Sequence, residues 1–329
     1  MMKMPIIDLH CDTIMKLYEN NNSHLVENHF QIDLKRLQQN DFLLQTFAIF
    51  LDKRQYPNRK ETALEMYQRF IKELEKYPAT IGLIKSQTDY YKNKAKKRIS
   101  ALLTLEEGGI LEGNIENLEE FFQLGVRLIT LTWNYPNEIG TPNILYWDKE
   151  KQILADNQTG LTKFGFTCIE KMNDLQMIID LSHASDQVAK DVLASSAQGI
   201  VASHSNARKL TPHPRNLSDE LIRKIADKNG LIGINFFDQF LKLNQPTDLP
   251  TAISEHLWYM YQLVGEDHLC FGSDFDGIPV HPDLNDVNSF PKIFQSLKQK
   301  GFSSRQIEKI SYLNAENFLQ HYLPKGEVK

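Results

Sequence analysis

Ile178-Ile179-Asp180-Leu181-Ser182-His183 and, a little further on, Ile200-Val201-Ala202-Ser203-His204 end alike: a largely apolar, β-branched run, then a serine, then a histidine. Such a run reads as a strand of a parallel sheet, buried on both faces. A polar residue at its carboxyl end points into the mouth of a barrel, where catalytic groups gather. Outward from this pair the pattern recurs. Ile6-Ile7-Asp8-Leu9 runs into His10-Cys11-Asp12, Leu102-Leu103-Thr104-Leu105 into Glu106-Glu107-Gly108-Gly109, and Phe271-Gly272-Ser273 into Asp274-Phe275-Asp276-Gly277. Imidazoles and carboxylates remote in sequence are therefore expected to converge from separate strands. That convergence is the mark of a metal-dependent hydrolase.

Eight runs read as strands, near residues 5–9, 42–49, 100–105, 128–131, 177–181, 199–203, 231–235 and 269–273. Amphipathic segments fill the gaps, at 61–77, 116–124, 165–175, 185–195, 218–228 and 252–263, with Ser185 and Ser218 as N-caps. Strands alternating with helices predict an α/β fold, a single (β/α)8 TIM-type barrel rather than an open sheet. The tail, 304–322, reads as two additional short helices broken near Asn314 and closing one end. No Pro/Gly/Ser linker or repeat divides the 329 residues, so one domain over 1–329 is expected.

Composition removes several function classes. A net charge of -5 gives no reason to expect nucleic acid as partner. No apolar stretch approaches the ~20 residues of a membrane helix. Met1-Met2-Lys3-Met4-Pro5 leads straight into the first strand without a signal-peptide pattern, and 322–329 is polar, so a cytoplasmic protein is expected. Cys11, Cys168 and Cys270 are odd in number and far apart, which argues against a disulfide framework. Strand alternation turns Cys11 away from the side that His10 and Asp12 face.

His10 and Asp12 stand on one face of an extended segment and can reach a single cation. His183 and His204 hold equivalent places on adjacent strands, which sets them apart from His24, His29, His213, His256, His268, His281 and His321. Adjacent residues of a strand point opposite ways, so only one of Glu106 and Glu107 faces the mouth. Glu107, immediately before the glycines, is the choice for a carboxylate bridging two metals. Asp274 directly ends the last run and is the candidate to take a proton from a water. Asp276 is expected to shape the loop.

Together these motifs resemble the renal (membrane) dipeptidase family of metallopeptidases, within the amidohydrolase-like barrels. The resemblance is carried by Ile7 to Asp12, Glu107-Gly108-Gly109, Leu128-Ile129-Thr130-Leu131-Thr132, Ile179 to His183, Ser203-His204-Ser205, Pro214-Arg215-Asn216 and Gly272 to Gly277. It implies two zinc ions: His10 and Asp12 on one, His183 and His204 on the other, Glu107 between them. It also implies that Arg215 binds a substrate's terminal carboxylate through its planar fork of donors, and that the protein is a homodimer. Mammalian relatives carry a histidine after Leu-Thr-Leu-Thr that helps to bind the scissile carbonyl. Trp133 stands in that slot here, followed by Asn134. The indole N–H, the Asn134 amide and a zinc ion are the alternatives for that task.

The expected activity is zinc-dependent hydrolysis of short dipeptides, those ending in a D-residue (L-X-D-Ala type) included. One rival keeps the site but hydrolyses N-acyl amino acids, lactones or other small amides. The other is a metal-stabilised binding protein without turnover.

Overall fold

The structure is a computed structural model describing residues 4–144, 146–147, 153–154, 158–245 and 247–326. The chain start at Met1 to Lys3 and the last residues of the polar tail, read above from sequence, lie outside the described residues. Eight parallel strands close on themselves: β1 (Ile6–Asp8), β2 (Phe42–Phe50), β3 (Ile99–Glu106), β4 (Val126–Thr130), β5 (Ile178–Asp180), β6 (Ile200–Ala202), β7 (Leu231–Ile234) and β8 (Leu269–Phe271). Asp8 pairs with Phe271 to close the ring, and Asp8↔Gln45, Phe50↔Glu106, Glu106↔Thr130 and Thr130↔Asp180 carry the register round it. All eight expected strands are present. A short extra strand, Ile81–Leu83, pairs with the start of β3.

Each barrel strand sends one apolar side chain into a single interior cluster: Ile7, Leu44, Leu102, Leu128, Ile178, Val201, Leu231 and Cys270. Ala315, Phe318 and Leu319 of the last helix pack on it, so that helix closes the amino-terminal end of the barrel. The carboxyl ends of the strands stay available for chemistry, as this architecture requires.

Helices lie where periodicity placed them, at Arg59–Lys76, Ile115–Leu124, Lys163–Leu175, Asp186–Ser195, Asp219–Asp227 and Leu249–Val264. Ser185 and Ser218 accept from the Val188 and Leu221 amides as N-caps. The sixth begins earlier than expected because Asp248 caps it and Pro250 fits its first turn, where no amide is needed. The tail corrects the expected break. Ser304–Glu308, Lys309–Leu313 and Asn314–Tyr322 run on as one helical path whose middle is a π-turn. Asn314 does not break it: its amide donates to the Glu266 and Leu269 carbonyls and ties the widened turn to the barrel. No helix among the described residues is long and apolar enough to cross a membrane.

Candidate metal centre and substrate pocket

Glu106, the last residue of β3, is the hub of the mouth. Its Oε2 lies 3.1 Å from His10 Nε2, and its Oε1 lies 3.1 Å from His183 Nε2 and 3.6 Å from His204 Nε2. His10 Nε2 is also 3.6 Å from Asp12 Oδ2 and 3.9 Å from Asp274 Oδ1. His183 Nε2 and His204 Nε2 face each other at 3.0 Å. All six residues are buried, and they come from the ends of five strands.

Hydrogen bonds behind the two rings decide their tautomers. His183 Nδ1 stands 2.9 Å from Asn134 Oδ1, which can only accept. Ser203 Oγ donates to Asp180 Oδ2 at 2.5 Å and so accepts from the His204 Nδ1–H at 2.8 Å. Both Nε2 atoms are therefore bare lone pairs turned towards one carboxylate oxygen. Burial, reinforced by the positive charge of Arg215 and His10, holds both imidazoles well below their ordinary pKa, so protonation does not relieve the repulsion. A cation between them does.

The spacing suits one. Tetrahedral ligands ~2.0–2.1 Å from zinc stand ~3.3 Å apart, and the three contacts here are 3.0, 3.1 and 3.6 Å. On the other side, ligand atoms of His10, Asp12 and Asp274 lie within 4.8 Å of one another, and Asp12 Oδ1 is buried without a partner. Burial lowers the His10 pKa, but Glu106 and Asp12 more than offset it and hold the ring well above its ordinary value. The donor set fits a pair of cations.

The structure corrects the expected place of Glu107: Glu106, not Glu107, faces the donor cluster. Glu107 Oε1 accepts from the Gly109 amide at 2.8 Å and Asn137 Nδ2 at 2.7 Å, and Oε2 from the Trp133 amide at 2.9 Å. It anchors the loop after β4. Its φ of 94° is a conformation that favours glycine, so strand alternation has already ended there. Leu102, Thr104 and Glu106 share a face of β3 and Leu102 belongs to the interior cluster, so Glu106 ends the strand turned to the mouth.

A cavity of about 150 Å³ opens over the centre, with Phe50, Trp133, Asn134, Arg215, Phe240 and Asp274 in its wall. Arg215 is 2% exposed, yet its Nε and Nη1 have no partner and Nη2 reaches only the His204 carbonyl at 3.4 Å. Its guanidinium lies over the Phe240 ring, 5.3 Å from the centroid. Burial brings its pKa down to about 10, against the pull of Asp274 and Glu106. Asp274 accepts from Asn235 Nδ2 at 2.9 Å. Burial raises its carboxyl to about 8; His10 opposes the rise, Asp12 and Glu106 add to it.

Trp133 presents its ring to the cavity, braced by Phe50 and Tyr135 at 4.8 and 5.2 Å between centroids. Asn134, expected among the substrate contacts, turns its carbonyl oxygen to His183 and orients that ring. Cys11 is buried in the main core, away from the donor set. Asp276 shapes the loop as expected, bonding Thr13 Oγ1 at 2.6 Å and the Gln31 amide at 2.7 Å. Asn235 follows its strand as the histidines follow theirs, so the same strand-end rule could have found it. Gly277, which the sequence marked only as part of a loop motif, leaves room for Asp12: a Cβ there would stand 2.0 Å from Asp12 Oδ2.

Known proteins resemble this chain in sequence and in fold. An uncharacterized protein from the pqqA 5′ region of Klebsiella pneumoniae is 33% identical over 237 residues, 71% of this chain and 86% of that one. An uncharacterized dipeptidase of Schizosaccharomyces pombe is 32% identical over 228 residues, which span 68% of this chain and 53% of the yeast protein. The crystal structure of a metallopeptidase from Rhodobacter sphaeroides, liganded with a phosphinate mimic of the dipeptide L-Ala-D-Ala, superposes with a TM-score of 0.88 at 22% identity, covering 98% of this chain and all of that one. The family model for membrane dipeptidases (peptidase family M19) matches residues 1–321, and the chain belongs to that family.

Proposed function

We propose that the chain is a zinc-dependent dipeptidase acting on short dipeptides with a free carboxyl end, L-X-D-Ala types included. The observation that carries this reading is Arg215, a buried guanidinium with two unpartnered donors beside a carboxylate–imidazole donor set. A buried, incompletely paired cation is costly unless an anion completes it, and a substrate carboxylate has the matching fork. His10 and Asp12 would hold one zinc ion and His183 and His204 the other, with Glu106 between them. Such ions, when bound, supply Lewis acidity to a carbonyl and lower the pKa of water.

The chain's own groups do the rest. Arg215 fixes the carboxyl end and sets the distance from it to the amide being cut. Asp274 takes a proton from the attacking water at Oδ1 and passes it to the leaving amine. Asn235 Nδ2 holds Oδ2 at 2.9 Å, which leaves Oδ1 for that transfer. Trp133, Phe50 and Phe240 exclude water from the cavity and offer it an apolar wall.

The test is metal analysis of the purified chain, followed by kinetics on L-Ala-L-Ala, L-Ala-D-Ala and N-acetyl-D-Ala, each with and without chelator. Chelator-sensitive cleavage of the dipeptides is expected, with the L-D peptide a substrate, as the ligand of the Rhodobacter structure suggests. Cleavage of the acetyl compound alone would favour the acyl-amino-acid rival. Tight peptide binding without cleavage in the zinc-loaded chain would favour the binding protein. A homodimer and a cytoplasmic setting belong to the same proposal, and gel filtration checks the first.

A further inference from the structure

The segment Ile-Ile-Asp-Leu occurs twice, at Ile6 to Leu9 and Ile178 to Leu181, and the metal reading uses neither aspartate. Both are fully buried. Asp8 Oδ1 accepts from the Ser273 amide at 2.7 Å and Asp8 Oδ2 from Ser273 Oγ at 2.6 Å. Asp180 does the same to Ser203: Oδ1 accepts from its amide at 2.8 Å and Oδ2 from its hydroxyl at 2.5 Å. The register is identical. Asp8 pairs with Phe271 and Asp180 with Val201, so each aspartate reaches the serine two residues beyond its partner on the next strand. Each serine immediately precedes a residue of the centre, Asp274 or His204.

We infer that Asp8 and Asp180 are paired positioning residues that clamp the neighbouring strand end: Asp180 thereby fixes His204 towards one cation, and Asp8, through Ser273, whose hydroxyl also reaches the His10 carbonyl at 3.3 Å, fixes His10 towards the other with Asp274 beside it. This inference rests on the metal reading above. The Asp180 clamp reaches further. Its Oδ1 also accepts from the Ser182 amide at 3.0 Å, and its Oδ2 from Thr130 Oγ1 at 2.6 Å. One carboxylate thus ties together the ends of β4, β5 and β6, which carry Asn134, His183 and His204. Through Ser203 Oγ it also orders the protons so that His204 keeps Nδ1–H and turns a bare Nε2 inwards. Asp8 is held by Gln45 Nε2 at 3.1 Å and sits just before His10 on its own strand, so it sets both sides of the first cation. Neither aspartate touches the donor cluster, which separates a clamp from a ligand.

The experiment uses the full chain stripped of metal and titrated with zinc against a chromophoric chelator, with cobalt(II) spectra as a second readout and melting of the metal-free protein as a control. Asp180→Asn keeps the shape but reverses the bond to Ser203, and Ser203→Ala removes the relay while leaving the amide clamp. Both are expected to weaken one zinc site about 10- to 100-fold and to alter one set of cobalt bands, with metal-free melting close to wild type. Asp8→Asn and Ser273→Ala are expected to weaken the other site. Native zinc affinity in all four variants, while the wild type takes up two ions, would overturn the clamp alone. So would an equal loss at both sites that follows a fall in metal-free melting temperature. A wild-type chain that takes up no ion would overturn the metal reading and this inference together.

Discussion

Replacing Glu106 by glutamine exchanges an anionic oxygen for an amide at the point where three imidazoles meet. Metal affinity should fall on the order of 100-fold or more, as loss of an inner contact costs at least what loss of a supporting one does. Glu107→Gln, by contrast, should leave the zinc content of the purified chain unchanged, because its oxygens face the Gly109 and Trp133 amides and Asn137. Elemental analysis of the two variants side by side separates them, and equal loss in both would contradict the assignment. Gly277→Ala tests close approach: the new methyl would meet Asp12 Oδ2, so weaker zinc retention is expected in a chain that still folds. Arg215→Met should raise KM for dipeptides about 10- to 100-fold, the worth of a charge-assisted hydrogen bond of ~1.5–3 kcal/mol. Amidated dipeptides, which lack the terminal carboxylate, are expected to be poor substrates of both forms and to show no such change.

Within single elements, the helix Arg59–Lys76 shows how a charged face reaches inward. Glu73 has no exposed side chain, and it accepts from Lys76, the Leu25 amide, Arg69 and His24. Burial alone would raise its pKa; those partners more than offset it and bring it down to about 2. A depressed carboxyl contributes stability above its unfolded value of ~4.3 and loses it as pH falls towards 2. Glu73→Gln should therefore cost about 1–3 kcal/mol at pH 7. The gap from wild type should narrow steadily between pH 4.5 and pH 2 in denaturant titrations; a gap constant with pH would contradict the ionised state. The loop at His24 and Leu25, which this carboxylate holds, has no periodic pattern of its own.

Across the whole molecule, the proposed ions link strands β1, β3, β5 and β6, so removing them loosens the ring and not one loop. Each ion at 1,000 times its dissociation constant adds about 4 kcal/mol to folding. Chelation of both ions should lower the melting temperature on the order of 20 °C, given ~2–4 °C per kcal/mol for large domains, and zinc should restore it. How much of this was legible beforehand differs by feature. Eight apolar runs, their alternation with helices and the polar residues at their ends determined the barrel and the side of it on which chemistry sits, because burial on both faces leaves a strand no other composition. Polar residues at the strand ends, as in Ser182-His183 and Ser203-His204, singled out His10, Asp12, His183, His204 and Asp274 as candidates, and the structure brings these side chains together. The choice between Glu106 and Glu107 was not legible in this way, because it turns on the residue at which β3 stops alternating, and a backbone at φ 94° decides that. Asn134 as the partner of His183, the unpaired donors of Arg215 and the room that Gly277 leaves for Asp12 likewise arise only when strands far apart in sequence are brought side by side. Local order in a chain constrains parity and burial, whereas distances between strand ends depend on closure of the ring.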